Sequence, residues 1–261
     1  MIFAAGLGTR LRPLTDSMPK ALVPVCGKPL LQITIEKLLS GGYDDIVVNV
    51  HHFAGQIRDF LSGRDWPGAR ISISDETDML RDTGGGIRHA EPLLGDGSFL
   101  VHNVDIISDL DLEAFRSSVR EDALATLAVS RRKTSRYLLF DGAMRLAGWM
   151  NASTGEVRSP YSGLDPDSCR KFAFAGIHIL SHKVFSLFGK LGFGEKFSIV
   201  DFYLRAAADY PVYGAVQPGL GLIDVGKPES LSVAGDFLMR CGDVSLQDPD
   251  EYGDDEQAGR Q

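Results

Sequence analysis

Short apolar runs alternate along this chain with longer segments that carry one apolar face. Met1–Ala5, Ile46–Val50, Arg70–Ser74 and Phe99–Asp105 have the length and composition of strands, and Ile46–Val50 reads as buried on both sides. Between them, Leu30, Leu31, Ile33, Ile35, Leu38 and Leu39 supply the apolar face of a helix that begins at Pro29 and stops at Gly41-Gly42. Ala54–Leu61 suits a shorter helix, and another opens at Asp82 and runs to about Leu94. Strands and helices in strict alternation predict an α/β arrangement.

The second half changes character. Ala125–Ser130, Tyr137–Phe140 and Leu146–Met150 are short apolar runs, and Asp141-Gly142 between two of them signals a hairpin. Asn151–Arg170 is polar, contains Pro160 and Pro166, and is expected to pass over a pocket. Phe172–Leu180 returns as a strand, and Val184–Phe188 as a short helix. A longer helix spans Phe197–Asp209, with Ser198 as N-cap and Asp201 at the capping-box spacing; Pro228–Met239 closes the pattern. No repeat is evident, and no hexapeptide pattern predicts a C-terminal β-helix.

Composition refines this picture in three places. The formal charge of −8 is concentrated at residues 242–261, where seven carboxylates face one arginine, leaving about −2 for the rest. The expected division is therefore one folded domain, 1–241, and an acidic tail, 242–261, too polar to order itself. Without a basic stripe, nucleic acid is not an expected partner. Cys26, Cys169 and Cys241 are widely spaced and odd in number, so neither a disulfide framework nor a zinc knuckle is suggested, and a reducing cytoplasm fits. No apolar run reaches membrane-spanning length, so no membrane partner is expected, and oligomeric state is not readable.

The chemistry concentrates in the loop after the first strand. Gly6 and Gly8 let backbone N–H groups approach an anion closely, and Arg10 and Lys20 bring positive charge to the same loop. The stretch reads as a triphosphate cradle. It is neither of the better-known phosphate loops: Leu11 stands where the dinucleotide fingerprint needs its third glycine, and no GxxxxGK[ST] string occurs. Gly6-Leu7-Gly8 alone would be an ordinary turn, but Thr9-Arg10, Arg12-Pro13-Leu14-Thr15, Pro19-Lys20, Leu22-Val23-Pro24-Val25 and Gly27-Lys28-Pro29 extend it into a long, specific signature. With these residues the chain resembles the sugar-1-phosphate nucleotidyltransferases.

The resemblance covers roughly Met1 to Met239 and implies a Rossmann-like three-layer α/β/α fold, with a mixed, mainly parallel central sheet and a small antiparallel insertion. It implies that Ala4, Ala5, Gly6, Gly8 and Thr9 bind the nucleotide, and that Arg10 and Lys20 act on the reacting phosphates. Asp82-Thr83-Gly84-Gly85-Gly86 is the second glycine-rich passage. Three glycines opening a helix cost about 1 kcal/mol each against alanine, so something flat is expected to lie on that backbone. In the resembled family the matching segment meets the nucleobase, which nominates Thr83, Gly84 and Gly85; a tight turn capped by Thr83 is the plainer reading.

Two carboxylates complete the set. Asp105 ends an apolar strand and Asp224 follows the short run Gly221-Leu222-Ile223, and carboxylates so presented suit Mg²⁺, which takes one or two of them together with substrate phosphates. The family usually has glycine where Val104 stands and threonine where Lys227 stands. Asn103, Asp109 and Gly176 are candidates for the sugar phosphate, although Gly176 equally suits a bulge. His51-His52 lack a metal-ligand pattern and suit strand-end hydrogen bonding. The Glu-Lys-Pro motif of many relatives is absent near Asn151.

The implied reaction joins a nucleoside triphosphate and a sugar 1-phosphate into an NDP-sugar and pyrophosphate. Resemblance favours UTP and N-acetylmuramate 1-phosphate; guanylyl transfer to mannose 1-phosphate and thymidylyl transfer to glucose 1-phosphate are the alternatives. A cytidylyltransferase for a non-sugar phosphate, and a subunit that binds nucleotide without turnover, are further readings.

Overall fold

The computed structural model describes residues 1–241, and the acidic segment 242–261 lies outside the described residues. Strand β1 (Ile2–Phe3) runs into the glycine-rich loop, and β2 (Pro24–Val25) and β3 (Lys28–Pro29) form a small hairpin that delivers the chain to α1 (Leu30–Ser40). The alternation continues through β4 (Asp45–Val50), α2 (Ala54–Ser62), β5 (Arg70–Asp75), α3 (Asp82–His89), β6 (Phe99–Asn103), β7 (Ile106–Ser108) and α4 (Leu112–Ser117). Then come β8 (Ala125–Ser130), the hairpin β9 (Arg136–Phe140) and β10 (Leu146–Asn151), β11 (Val157–Arg158) and the long β12 (Arg170–Leu180). Helices α5 (Val184–Lys190) and α6 (Ile199–Ala206), strands β13 (Val212–Val216) and β14 (Leu222–Asp224), and α7 (Glu229–Cys241) complete the described chain.

Ten strands make one mixed sheet. β5, β4, β1 and β6 are parallel neighbours in that order, β12 lies antiparallel beside β6, and β8 and β13 follow, parallel to each other. The antiparallel insertion grows from the first residues of β12, where Arg170–Phe172 pair with β9, and β10 and β11 continue outward. Sheet residues alternate between two cores, as the two-residue strand period requires. Ile46, Val48 and Val50 pack with α1, α2, α4 and α7 on one face, while Val47 and Val101 pack with α3, α5 and α6 on the other. The three layers expected from the sequence are present.

Helix ends follow local chemistry. α1 stops in a Schellman motif, in which Tyr43 N–H donates to Leu38 O (2.9 Å) and Gly42 N–H to Leu39 O (3.0 Å). α3 ends at His89 rather than near Leu94, because Pro92 cannot donate within a helix, and Glu91–Leu93 instead makes one 3-10 turn. The capping box does not form in α6. Ser198 Oγ accepts from Val200 N (3.2 Å), but Asp201 is drawn to Arg158 (2.6 Å). That ion pair, with Tyr161 O–H donating to Ala207 O (2.8 Å), carries Asn151–Arg170 down onto α6 rather than over the pocket.

Helix α4, the β2–β3 hairpin and β11 have no counterpart among the elements expected from the sequence. β13 was not foreseen, and β7 pairs antiparallel with β14 in a separate two-stranded sheet, setting Asp224 opposite Ile106. This second pairing brings together the C-terminal and central chemical motifs.

Candidate functional site

The site grows from the C-terminal end of β1, at the sheet edge where open α/β sheets gather ligands. From there Ala4–Leu22 forms three 3-10 turns, Thr9–Leu11, Leu14–Asp16 and Lys20–Leu22, instead of entering a helix directly. Gly8 must be glycine: its φ is +63°, and a Cβ would stand 2.9 Å from Thr15 Cγ2 and 3.0 Å from Lys20 Cβ. Thr15 O–H donates to the Gly8 carbonyl (2.8 Å), which also accepts from Leu11 N (2.9 Å). Gly6 differs, since a Cβ there would meet no protein atom within 4 Å.

Ala4, Gly6, Gly8, Thr9, Arg10, Lys20 and Asp105, all expected, line one cleft of about 370 Å³ with Leu7, Val104 and Gly226. Lys20 is buried and its ammonium pairs with Asp105 Oδ2. Val104 causes no local disruption, because its side chain is buried in the core and its N–H donates to Phe3 O (3.2 Å). Asp224 joins the group through the β7–β14 pairing and a hydrogen bond from Val225 N to Asp105 O (2.8 Å). A Cβ on Gly226 would stand 2.7 Å from Asp224 Oδ1 and 2.8 Å from Arg10 Nη2, so carboxylate and guanidinium converge on that glycine. Lys227 is exposed.

A divalent cation can be tested against these donors. Asp224 Oδ1 is buried and has no hydrogen-bond partner, which an orphaned carboxylate oxygen rarely tolerates and a hard cation would remedy. Among the described residues no group of three or more His, Cys, Asp or Glu could hold a metal unaided. The donor set therefore fits an ion that takes part of its shell from water and substrate phosphates, as Mg²⁺ commonly does.

The group that fixes this loop from beneath is not among the residues expected from the sequence. Asn49, buried at the end of β4, accepts from the N–H of Ala4 (2.7 Å) and of Ala5 (3.3 Å), and its amide donates to Glu76 Oε1 (2.7 Å). Glu76 is fully buried and its Oε2 accepts from Arg81 N (3.1 Å). One polar chain thus connects the first loop to the start of α3. A signal was available, for asparagine inside the apolar run Ile46–Val50 is out of character for a buried strand. His51 ends β4 as expected, with Nδ1 2.6 Å from Glu76 O.

The second glycine-rich passage is packed by the protein itself. A Cβ on Gly84 would lie 2.2 Å from the Phe197 ring, one on Gly85 2.1 Å from Glu195 O, and one on Gly86 2.9 Å from Glu76 Oε1. The N–H groups of Gly84 and Gly85 both donate to Phe197 O (2.9 and 3.2 Å). The flat group on this backbone is a phenylalanine. Thr83 caps not its own helix but α6, where Oγ1 accepts from Ile199 N (2.9 Å).

Toward the other side of the cleft, β12 bulges between Phe174 and His178, with Gly176 at φ +74°. A Cβ there would lie 2.7 Å from Asn103 Nδ2, so these two candidates adjoin each other. Asp109 is set apart from them. Its Oδ1 accepts from Gly221 N (2.9 Å), bracing the loop before β14.

With this geometry in place, similarity can be weighed. The family model described as Nucleotidyl transferase matches residues 1–240. An N-acetylmuramate alpha-1-phosphate uridylyltransferase from Caulobacter vibrioides is 36% identical over 236 residues, 88% of this chain and 92% of that protein. A mannose-1-phosphate guanyltransferase from Gibberella zeae is 41% identical over 124 residues, but these are 45% of this chain and 34% of that protein. Among solved structures, HddC from Yersinia pseudotuberculosis complexed with GMP-PN superposes with a TM-score of 0.71 at 23% identity, covering 91% of this chain and 97% of that one. No helix among the described residues is long and apolar enough to cross a membrane.

Proposed function

The chain belongs to the nucleotidyl transferase family, and from that premise we propose that it transfers a uridylyl group from UTP to N-acetylmuramate 1-phosphate, releasing pyrophosphate. The choice of base and sugar rests on the Caulobacter relative, which is similar along nearly the whole of both chains. The site assignment rests on one observation: Asp224 Oδ1, buried and unpartnered, stands beside Arg10, and the next residue, Val225, donates its N–H to the Asp105 carbonyl.

In this reading a phosphate oxygen of the sugar 1-phosphate attacks the α-phosphorus in line. The new P–O bond forms as the bond to the bridging oxygen of pyrophosphate breaks. Such transfers are catalysed mainly by positioning and charge neutralisation. The Gly6–Arg10 loop offers backbone N–H groups and a guanidinium to the departing pyrophosphate, while Lys20, held by Asp105, sets a buried positive charge against the reacting phosphates. Asp105 and Asp224 would hold Mg²⁺, which would supply positive charge to offset that of the reacting phosphates. The Thr83–Gly85 passage, its glycine backbone covered by Phe197 and Glu195, backs the nucleobase side of the cleft from behind and is tied to the first loop through Asn49 and Glu76. Asn103 and Gly176 face the sugar phosphate, while Asp109 braces the loop that leads into β14 and so steadies Asp224. The working compartment is the cytoplasm, where the unbridged Cys26 and Cys169 stay reduced.

Pyrophosphate release with Mg²⁺ tests this across UTP, GTP, dTTP, CTP and ATP, crossed with the 1-phosphates of N-acetylmuramate, mannose and glucose. Turnover is expected with UTP and N-acetylmuramate 1-phosphate. Preference for GTP with mannose 1-phosphate, or dTTP with glucose 1-phosphate, would replace the substrate assignment. Nucleotide binding without turnover anywhere would replace the enzyme by a binding subunit.

A further inference from the structure

A groove of about 630 Å³ lies outside the cleft and shares none of its lining residues. Its walls include Ser130, Arg131 and Arg132 at the end of β8, the loop Gln217–Leu220, and Leu222 of β14. Leu222 stands two residues from Asp224 on one strand, about 7 Å of backbone at the usual strand rise. Arg132 touches the other border, donating from Nη2 to Phe174 O (3.1 Å), two residues before Gly176. The groove therefore adjoins both the carboxylate side of the cleft and the bulge.

Three features mark it as wanting an anion. Among the described residues neither Arg131, which lies over the Phe172 ring at 6.0 Å, nor Arg132 forms an ion pair with a carboxylate, so no protein carboxylate neutralises either guanidinium. Arg132 Nε is buried with no hydrogen-bond partner. Ser130 Oγ is in the same condition, in a residue only 6% exposed. Two water-excluded donors without partners, two residues apart in the chain and both in the wall of an open groove, point to a polar group supplied from outside.

We propose that Arg131, Arg132 and Ser130 form a second anion subsite, which selects a sugar 1-phosphate carrying a further negative substituent, a carboxylate above all. The proposal rests on the sugar 1-phosphate reading above and adds to it the residues that choose among such sugars. The volume suits a substituted hexose. The Nη2 bond to Phe174 O holds the guanidinium plane in place, and a planar fork so fixed suits a carboxylate better than a single hydroxyl. N-acetylmuramate 1-phosphate carries such a carboxylate on its lactyl ether. N-acetylglucosamine 1-phosphate is the same sugar without it.

The readout is the ratio of kcat/KM for these two acceptors with UTP and Mg²⁺. In the Arg131→Met/Arg132→Met variant the ratio is expected to fall about 10- to 100-fold, the loss of a charge-assisted pair, through a higher KM for the acidic sugar. An unchanged ratio in a folded variant would overturn the subsite while leaving the parent reading intact. A second arm needs no substitution. The wild-type protein should use the methyl ester of N-acetylmuramate 1-phosphate at least about 10-fold less well than the free acid, and equal use of the two would overturn the proposal even if the variant did not fold. Silence of the wild-type protein with every sugar 1-phosphate would overturn the parent reading, and the subsite with it.

Discussion

Two glycine-rich passages leave the same sheet edge for the helices, and they differ in what occupies the space beside their backbones. At the first loop a Cβ on Gly6 would meet nothing, and Arg10, Lys20, Asp105 and Asp224 gather around the opening. At the start of α3, the Phe197 ring covers Gly84 and the Glu195 carbonyl abuts Gly85. The first passage is open at Gly6, although Gly8 is packed against Thr15 and Lys20, whereas the second is closed by its own core at all three glycines. In sequence both carry the same residue for opposite reasons, and only the neighbours brought from distant segments tell them apart. The polar chain through Asn49 and Glu76 then couples them, so the filled passage becomes the rigid back of the open one.

The largest expected effect lies at the open passage. Asp224→Asn keeps shape and removes the charge of a carboxylate with an unpartnered buried oxygen, so turnover should fall about 10²- to 10³-fold while the melting temperature holds. Pyrophosphate release at saturating Mg²⁺ checks it, and near-normal turnover would remove Asp224 from the site. The filled passage should answer in stability instead. Gly85→Ala forces a Cβ against a backbone carbonyl at 2.1 Å and should cost about 3 kcal/mol, on the order of 10 °C in melting temperature. If Gly85→Ala melted like the wild type but lost nucleotide binding, the contrast between the passages would collapse. Gly6→Ala is the matched control: its melting should move by less than about 0.5 kcal/mol, while KM for the nucleotide rises about 10-fold as a methyl enters the phosphate path.

The extent of legibility follows from the same contrast. Strands, helices and the first loop could be read because each is specified by local pattern: an apolar run, a 3.6-residue face, a glycine that must leave room. Arg10, Lys20 and Asp105 were found for that reason, and the cleft does collect them. What escaped was specified by pairing over long separations. Val225 meets Asp105, Thr83 meets Ile199, and Phe197 meets Gly84. Ser198 illustrates the limit on a small scale, since its own capping bond was readable from spacing, but the capture of Asp201 by Arg158 depended on a segment folding onto α6.

A last test uses two buried histidines, one of them against α6 on the filled side, and sharpens the contrast through pH. His178 is buried on β12, its Nδ1 meeting the Tyr203 hydroxyl, and burial pushes its pKa down to about 3. His102, buried on β6, is pushed down to about 4 by the same desolvation. Both rings stay neutral in the folded protein, whereas in the unfolded chain each takes a proton near pH 6.5. The unfolded state therefore binds more protons below that pH, and stability is lost as pH falls from about 6.5 toward 4, at up to about 1.4 kcal/mol per pH unit for each ring. Above pH 7 the two histidines should contribute no slope. Thermal melts of the wild type and His178→Gln at pH 8, 6.5 and 5 separate this from general acid sensitivity. The variant should be less stable at pH 8, through lost packing, yet lose less on going to pH 5. Parallel loss in both proteins would mean that groups other than the His178 ring set the acid limit of the fold.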